Sequence, residues 1–195
     1  MIPIGHVLRS STTGFVVGCK IMKDDTPQFG EFVKVAVTEQ TNIIGVIYDV
    51  TVHDDPAVRQ LILSGTLAEE VILDQRENRL VPIEISVLIV GFQRGEQFAQ
   101  ALPPQPPISL EALHLCTTAE IVAFTEQLDF LRLIFSAPNI PADDLAVACL
   151  TRAAELRAPE IRRQYLVGAG KHIARLLFDD MLRLDSILQQ LKTVV

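Results

Sequence analysis

The segment Pro103-Pro104-Gln105-Pro106-Pro107 divides this chain into two differently patterned halves. Four prolines in five residues cannot continue a helix or lie inside a sheet, because each lacks the backbone donor both structures use. They favour extended polyproline geometry, which makes a semi-rigid spacer. Before the prolines, apolar residues come in short β-branched and aromatic runs; after them, the apolar period moves from 2 towards 3.6. The expectation is an α+β protein: a small N-terminal antiparallel β-barrel over 1–100, a Pro-rich connector over 101–116 and a C-terminal helical domain over 117–195.

In the first half, Val7-Leu8 precedes the polar turn Ser10-Ser11-Thr12-Thr13-Gly14, and Phe15 to Ile21 follows as a strand. Lys23-Asp24-Asp25-Thr26-Pro27 is a second turn. Glu31–Val37 and Asn42–Val52 are further strands, joined through Thr38–Thr41. Strands this short and frequent suit a small barrel, and glycines at 5, 14, 18, 30 and 45 suit its bulges and corners. Asp54-Asp55-Pro56 starts a helix that runs to about Ser64 and stops at Gly65. Residues 66–79 read equally as a helical turn or a strand pair, and Pro82–Gln93 as a buried strand.

In the second half, Thr117-x-x-Glu120 has the capping-box pattern and predicts a helix to about Ser136. A second helix follows Pro141, with Asp143 and Asp144 in its first turn, and ends before Pro159. A third begins at Pro159 and continues to about Lys192, with close packing or a kink at Gly168-Ala169-Gly170. On it, Leu177, Met181, Leu184, Leu188 and Leu191 form a heptad-like seam. That seam packs either against the chain's own helices or against another subunit.

The opening strands occur in an informative order. Ile4-Gly5-His6-Val7-Leu8, Ser10-Ser11-Thr12-Thr13-Gly14-Phe15-Val16-Val17, Phe29-Gly30-Glu31-Phe32-Val33-Lys34-Val35 and Ile44-Gly45-Val46-Ile47-Tyr48-Asp49-Val50 follow one another. This series resembles the HAS barrel, the N-terminal β-barrel shared by HerA-type DNA-translocating ATPases and the ATP-synthase α and β subunits. The resemblance covers roughly residues 2–95, with Pro82–Phe92 similar to the family's closing strand. It implies a barrel that sits beside others on a ring, and so a ring ATPase, an ATP-synthase-like complex or copies of this chain as partner. Family ATPases follow the barrel with a G-x-x-x-x-G-K-[ST] phosphate loop. Here Gly170-Lys171 is followed by His172, and Tyr165 stands where the first glycine belongs. Nucleotide hydrolysis is therefore not carried over, and no cofactor is expected.

Charge and composition narrow the function classes. Mean hydropathy is +0.31, yet the densest apolar run, Val87–Phe92, is far shorter than the roughly 20 residues a membrane helix needs. No secretory leader is expected, and Cys19, Cys116 and Cys149 lack metal-ligand or disulfide spacing, which points to a reducing, cytoplasmic setting. The net charge of −7 gives no broad positive field and argues against nucleic acid as a direct ligand. Histidines 6, 53, 114 and 172 are scattered, and no nucleophile elbow or metal set is visible, so no small-molecule substrate is evident. The one cationic stretch holds Arg152, Arg157, Arg162, Arg163, Lys171 and Arg175 against Glu155 and Glu160. It is either a solvated helix face or a docking face for an acidic partner. The function expected is that of a non-catalytic adaptor or assembly protein. The alternative is a nucleic-acid accessory factor, which needs Arg162, Arg163, Lys171 and Arg175 on one exposed face.

Overall fold

Strand β5 (Pro82–Arg94) shows how the sequence builds two cores at once. Ile83, Ile85, Val87 and Ile89 alternate onto one face and are buried together with residues of five other strands, while Leu88 and Val90 face the other way and are buried among helices. From Val87 to Val90 the strand is covered on both faces and has no polar side to show, whereas the outward Glu84 and Ser86 before it are polar and half-buried. The computed structural model containing it describes residues 3–20, 27–52, 63 and 82–193. The turn at Lys23-Asp24-Asp25-Thr26, His53, the helix expected from Asp54 apart from Leu63, and the 66–79 segment lie outside the described residues.

The remaining strands are β1 (Gly5–Ser10), β2 (Gly14–Lys20), β3 (Phe32–Thr38), β4 (Thr41–Val52), β6 (Gln97–Ala99) and β7 (Ala112–Leu115). They run β2-β1-β7-β3-β4-β5, and β5 pairs back onto β2 from Gly14↔Leu88 to Lys20↔Pro82. The result is a closed, six-stranded antiparallel barrel, with β6 appended to β5 as a hairpin. Closure leaves no long unpaired edge. The interior is filled by Val7, Phe15, Val17, Val33, Val35, Ile43, Ile47, Leu113 and the inward set of β5. A Cβ on Gly5 would come within 2.4 Å of the Gly18 carbonyl oxygen, so only glycine fits where β1 crosses β2.

The 101–116 connector is corrected in one respect. Its last residues form β7, which lies antiparallel between β1 and β3, with Gly5↔Leu113 on one side and Val35↔Leu113 on the other. The prolines thus carry the chain across the barrel to its last strand, and Ser10 donates its hydroxyl to the Pro107 carbonyl on the way. Four residues with one fully buried leucine are too short a signal to outweigh the prolines beside them.

Five helices follow among the described residues: α1 (Thr118–Phe124), α2 (Phe130–Ser136), α3 (Ala142–Glu155), α4 (Pro159–Leu176) and α5 (Met181–Lys192). The Thr117/Glu120 capping box is present as read. The single helix expected to Ser136 is broken after Phe124, and distant side chains hold the break. Gln100 donates to the Phe124 and Gln127 carbonyls and accepts from the Phe130 N–H at 2.7 Å. Arg157 donates to the Val122 carbonyl and to the hydroxyl of the buried Thr125. Groups at a helix end need such partners, and here they come from far along the chain.

The helices cover the outer face of β3, β4 and β5. Phe32, Ile44, Val46, Leu88 and Val90 share one core with Phe124, Phe130, Leu131, Ile134 and the buried faces of α3 to α5. Phe32, Phe98, Phe124 and Phe130 interlock edge to face or tilted, with ring centroids 5.6 to 6.1 Å apart. Lys34 of β3 pairs with Glu120 of α1. Burial raises the Glu120 pKa, but hydrogen bonds from Lys34 and Thr117 outweigh it and the net shift is downward.

A second clamp sits where α3 meets the turn before β3. Arg152 reaches Glu31 at 3.2 Å and Gln28 at 3.0 Å. Between them Gly30 has φ +79°, and a Cβ there would stand 2.6 Å from the Ala148 Cβ. Gly30→Ala combines a left-handed backbone with overpacking, and is expected to lower stability by about 1–3 kcal/mol in chemical denaturation. A change within error would show that α3 yields freely at this contact.

Candidate docking groove

The last two helices form an antiparallel pair, and the groove between them is the candidate functional site. Pro159 opens α4 at its first turn, where a missing N–H does no harm. The helix then runs unbroken through Gly168-Ala169-Gly170. Gly168 faces open space, Ala169 is fully buried, and a Cβ at Gly170 would lie 3.1 Å from a Leu188 methyl. The glycine at 170 therefore permits close approach of α5, one of the two roles its sequence allows. The expected single helix to Lys192 does not form. α4 ends at Leu176, and α5 begins with the Asp180 side chain accepting from the Arg183 N–H. Asp180 is an N-cap, and that local signal prevails over the seam's continuous period.

The seam residues separate accordingly. Leu177, Leu184 and Leu191 are buried within the chain's own core, Leu188 is half-buried against it, and Met181 is exposed. In the described residues the seam packs mainly on α3 and α4, so its buried leucines are core rather than free surface. Arg183, unremarked in the sequence, secures this arrangement by a bidentate grip on Asp143 of α3, with Nε at 2.7 and 3.0 Å from the two carboxylate oxygens.

The cationic stretch also divides. Arg152 is committed to Glu31. Arg157 serves the carbonyls of Ala153 and Val122, with its guanidinium 3.9 Å above the Tyr165 ring. Arg162 donates to the carbonyls of Arg157 and Glu155, closing the end of α3. These three are structural, and Arg162 is turned to α3's end instead of joining its neighbours on one face. Arg163, Lys171 and Arg175 remain exposed along α4.

What α4 and α5 leave between them is a groove of about 740 Å³. Val167, Gly170, Ala174 and Leu188 make its floor, and Arg163, Lys171 and Lys192 stand around it. Gly170 and Ala174 add little side-chain bulk to its lining. Neither Val167 nor Lys192 stood out in the sequence; only the pairing of the two helices sets them opposite one another.

A second concavity, of about 540 Å³, lies between the β1–β2 turn and the end of α2. Its Ser10, Ser11 and Ser136 hydroxyls bond nearby backbone carbonyls. Burial pushes the pKa of Cys116 and of Cys149 upward, away from the reactive thiolate. Among the described residues, no three His, Cys, Asp or Glu side chains are grouped to hold a metal ion, and no helix is long and apolar enough to cross a membrane. In comparisons with known proteins, no family model matches this chain and no match is found among the curated proteins.

Proposed function

We propose that this chain is a non-catalytic adaptor or assembly protein that works through protein–protein contact. The observation that carries this reading is the α4–α5 groove, an apolar floor framed by three cations on a chain of net charge −7. Local charge opposite in sign to the whole marks a place where an acidic surface is admitted while other approaches are repelled. An amphipathic segment with an apolar stripe and acidic flanks fits it, as in helix-in-groove recognition. The strand series that resembles the HAS barrel supports a ring ATPase or an ATP-synthase-like complex as the setting, or a homo-oligomer of the chain. The helical layer occupies the sequence position of the family's nucleotide-binding domain.

The test is a fluorescence-anisotropy titration of the full chain with a labelled helical peptide carrying leucines at i, i+4 and i+7 and glutamates beside them. Binding is expected, weakened at least about tenfold by Val167→Asp with Lys171→Glu, and weakened by salt. Binding that ignores both changes, or none at all, overturns the groove as a docking site. A labelled oligonucleotide in the same assay decides the alternative. Salt-sensitive binding that disappears with Arg163→Glu and Arg175→Glu would favour the nucleic-acid accessory reading.

A further inference from the structure

The turn that closes the α4–α5 pair displays an unusual surface. Phe178, Met181 and Leu182 are 76%, 66% and 87% exposed, three large apolar side chains within five residues. Exposed Asp179 and Asp180 lie between them, and Asp185 follows one turn on. Of the nearby cations, Arg183 is held by Asp143 and Arg175 stands a turn back on α4. Such a cluster of apolar side chains in water is unfavourable unless something covers it.

The same chain carries the complementary surface, because the groove is apolar and basic where the tip is apolar and acidic. The tip does not fill its own groove: Phe178 and Leu182 stand exposed beyond the end of α4, and neither lines the groove. It also caps the end of the helix pair, whereas the groove runs along its side. Two copies of a chain with net charge −7 repel in most orientations, so a contact between them needs locally opposed charge. Tip against groove supplies it, with burial of aromatic and aliphatic side chains in addition.

We infer that the groove's occupant is the α4–α5 turn of a second copy, Phe178 and Leu182 entering between α4 and α5 while Asp179 and Asp180 meet Arg163, Lys171 and Lys192. This rests on the docking reading above and names its partner. Because tip and groove are different surfaces, the contact is head-to-tail, and repetition closes a ring or extends a filament.

The experiment is size-exclusion chromatography with light scattering over a concentration series. The wild-type mass is expected to rise above the 21.6 kDa of one chain. A tip variant (F178S with L182S) and a groove variant (R163E with K171E) should each stay at one chain's mass. Both keep the wild-type circular dichroism, since the altered side chains are exposed. Mixed in equal amounts, the two variants should form a dimer and stop there, because one intact tip meets one intact groove. A monomeric wild type, association untouched by either variant, or a mixture that stays monomeric overturns the inference. The peptide titration separates the two readings: an acidic peptide that binds a monomeric wild type leaves the docking groove standing and removes only the second copy.

Discussion

Replacing Phe130 with alanine is expected to lower the unfolding free energy by about 3–5 kcal/mol, read from urea titration followed by circular dichroism. The ring is fully buried and lies 6.0 Å from Phe32 of the barrel and 5.6 Å from Phe124 of α1. Its removal takes away transfer free energy and leaves a cavity at the seam of strand and helix, where neither side can collapse without losing other contacts. Typical domains hold about 5–15 kcal/mol in total, so this one change would consume a large fraction of it. The loss should appear in a single transition, since the barrel's outer face and the helices share one of the two cores. Two separated transitions in the variant would mean that the shared cluster does not couple the halves.

A fragment ending at residue 100 is expected to show no cooperative unfolding transition at all. It lacks β7, so β1 loses its pairing with Ala112 and Leu113, and β3 loses its pairing with Leu113, His114 and Leu115. The barrel then has two open edges and a missing interior leucine. The fragment also lacks the described helices that cover Phe32, Ile44, Val46, Leu88 and Val90. Extending it to residue 116 restores β7 but leaves that outer face in water, so this longer fragment should gain strand signal and self-associate. A thermal melt by circular dichroism, with dispersion of amide resonances, distinguishes these outcomes. A cooperative melt from residues 1–100 would show that the sheet closes without its last strand.

The α4–α5 region shows how far local reading extends. Leu184, Leu188 and Leu191 were legible as an apolar seam because helical spacing is a local property, and Arg163 and Arg175 as exposed cations because charge is local too. The side to which the seam is turned is not local. The Asp180 cap and the Arg183–Asp143 pair place α5 against α3 and α4, burying leucines that a longer helix could have offered to a partner. The groove needed residues from two helices about twenty positions apart, brought together by Gly170.

By itself the sequence determined the α+β pattern, most barrel strands, the Thr117 capping box, the start of α3 and α4 at their prolines, and the want of a phosphate loop at Gly170-Lys171. Each follows from residues within a turn or two of one another: alternation, caps and prolines act over short distances. Only the tertiary structure decided that residues 112–115 complete the barrel, that the helix after Thr117 breaks at Phe124, and that Arg157 and Gln100 supply the carbonyl partners there. Those outcomes depend on which distant groups satisfy a buried polar atom or cover an apolar face. A four-residue strand or a broken helix is stable only in that company, and no short window of sequence contains it.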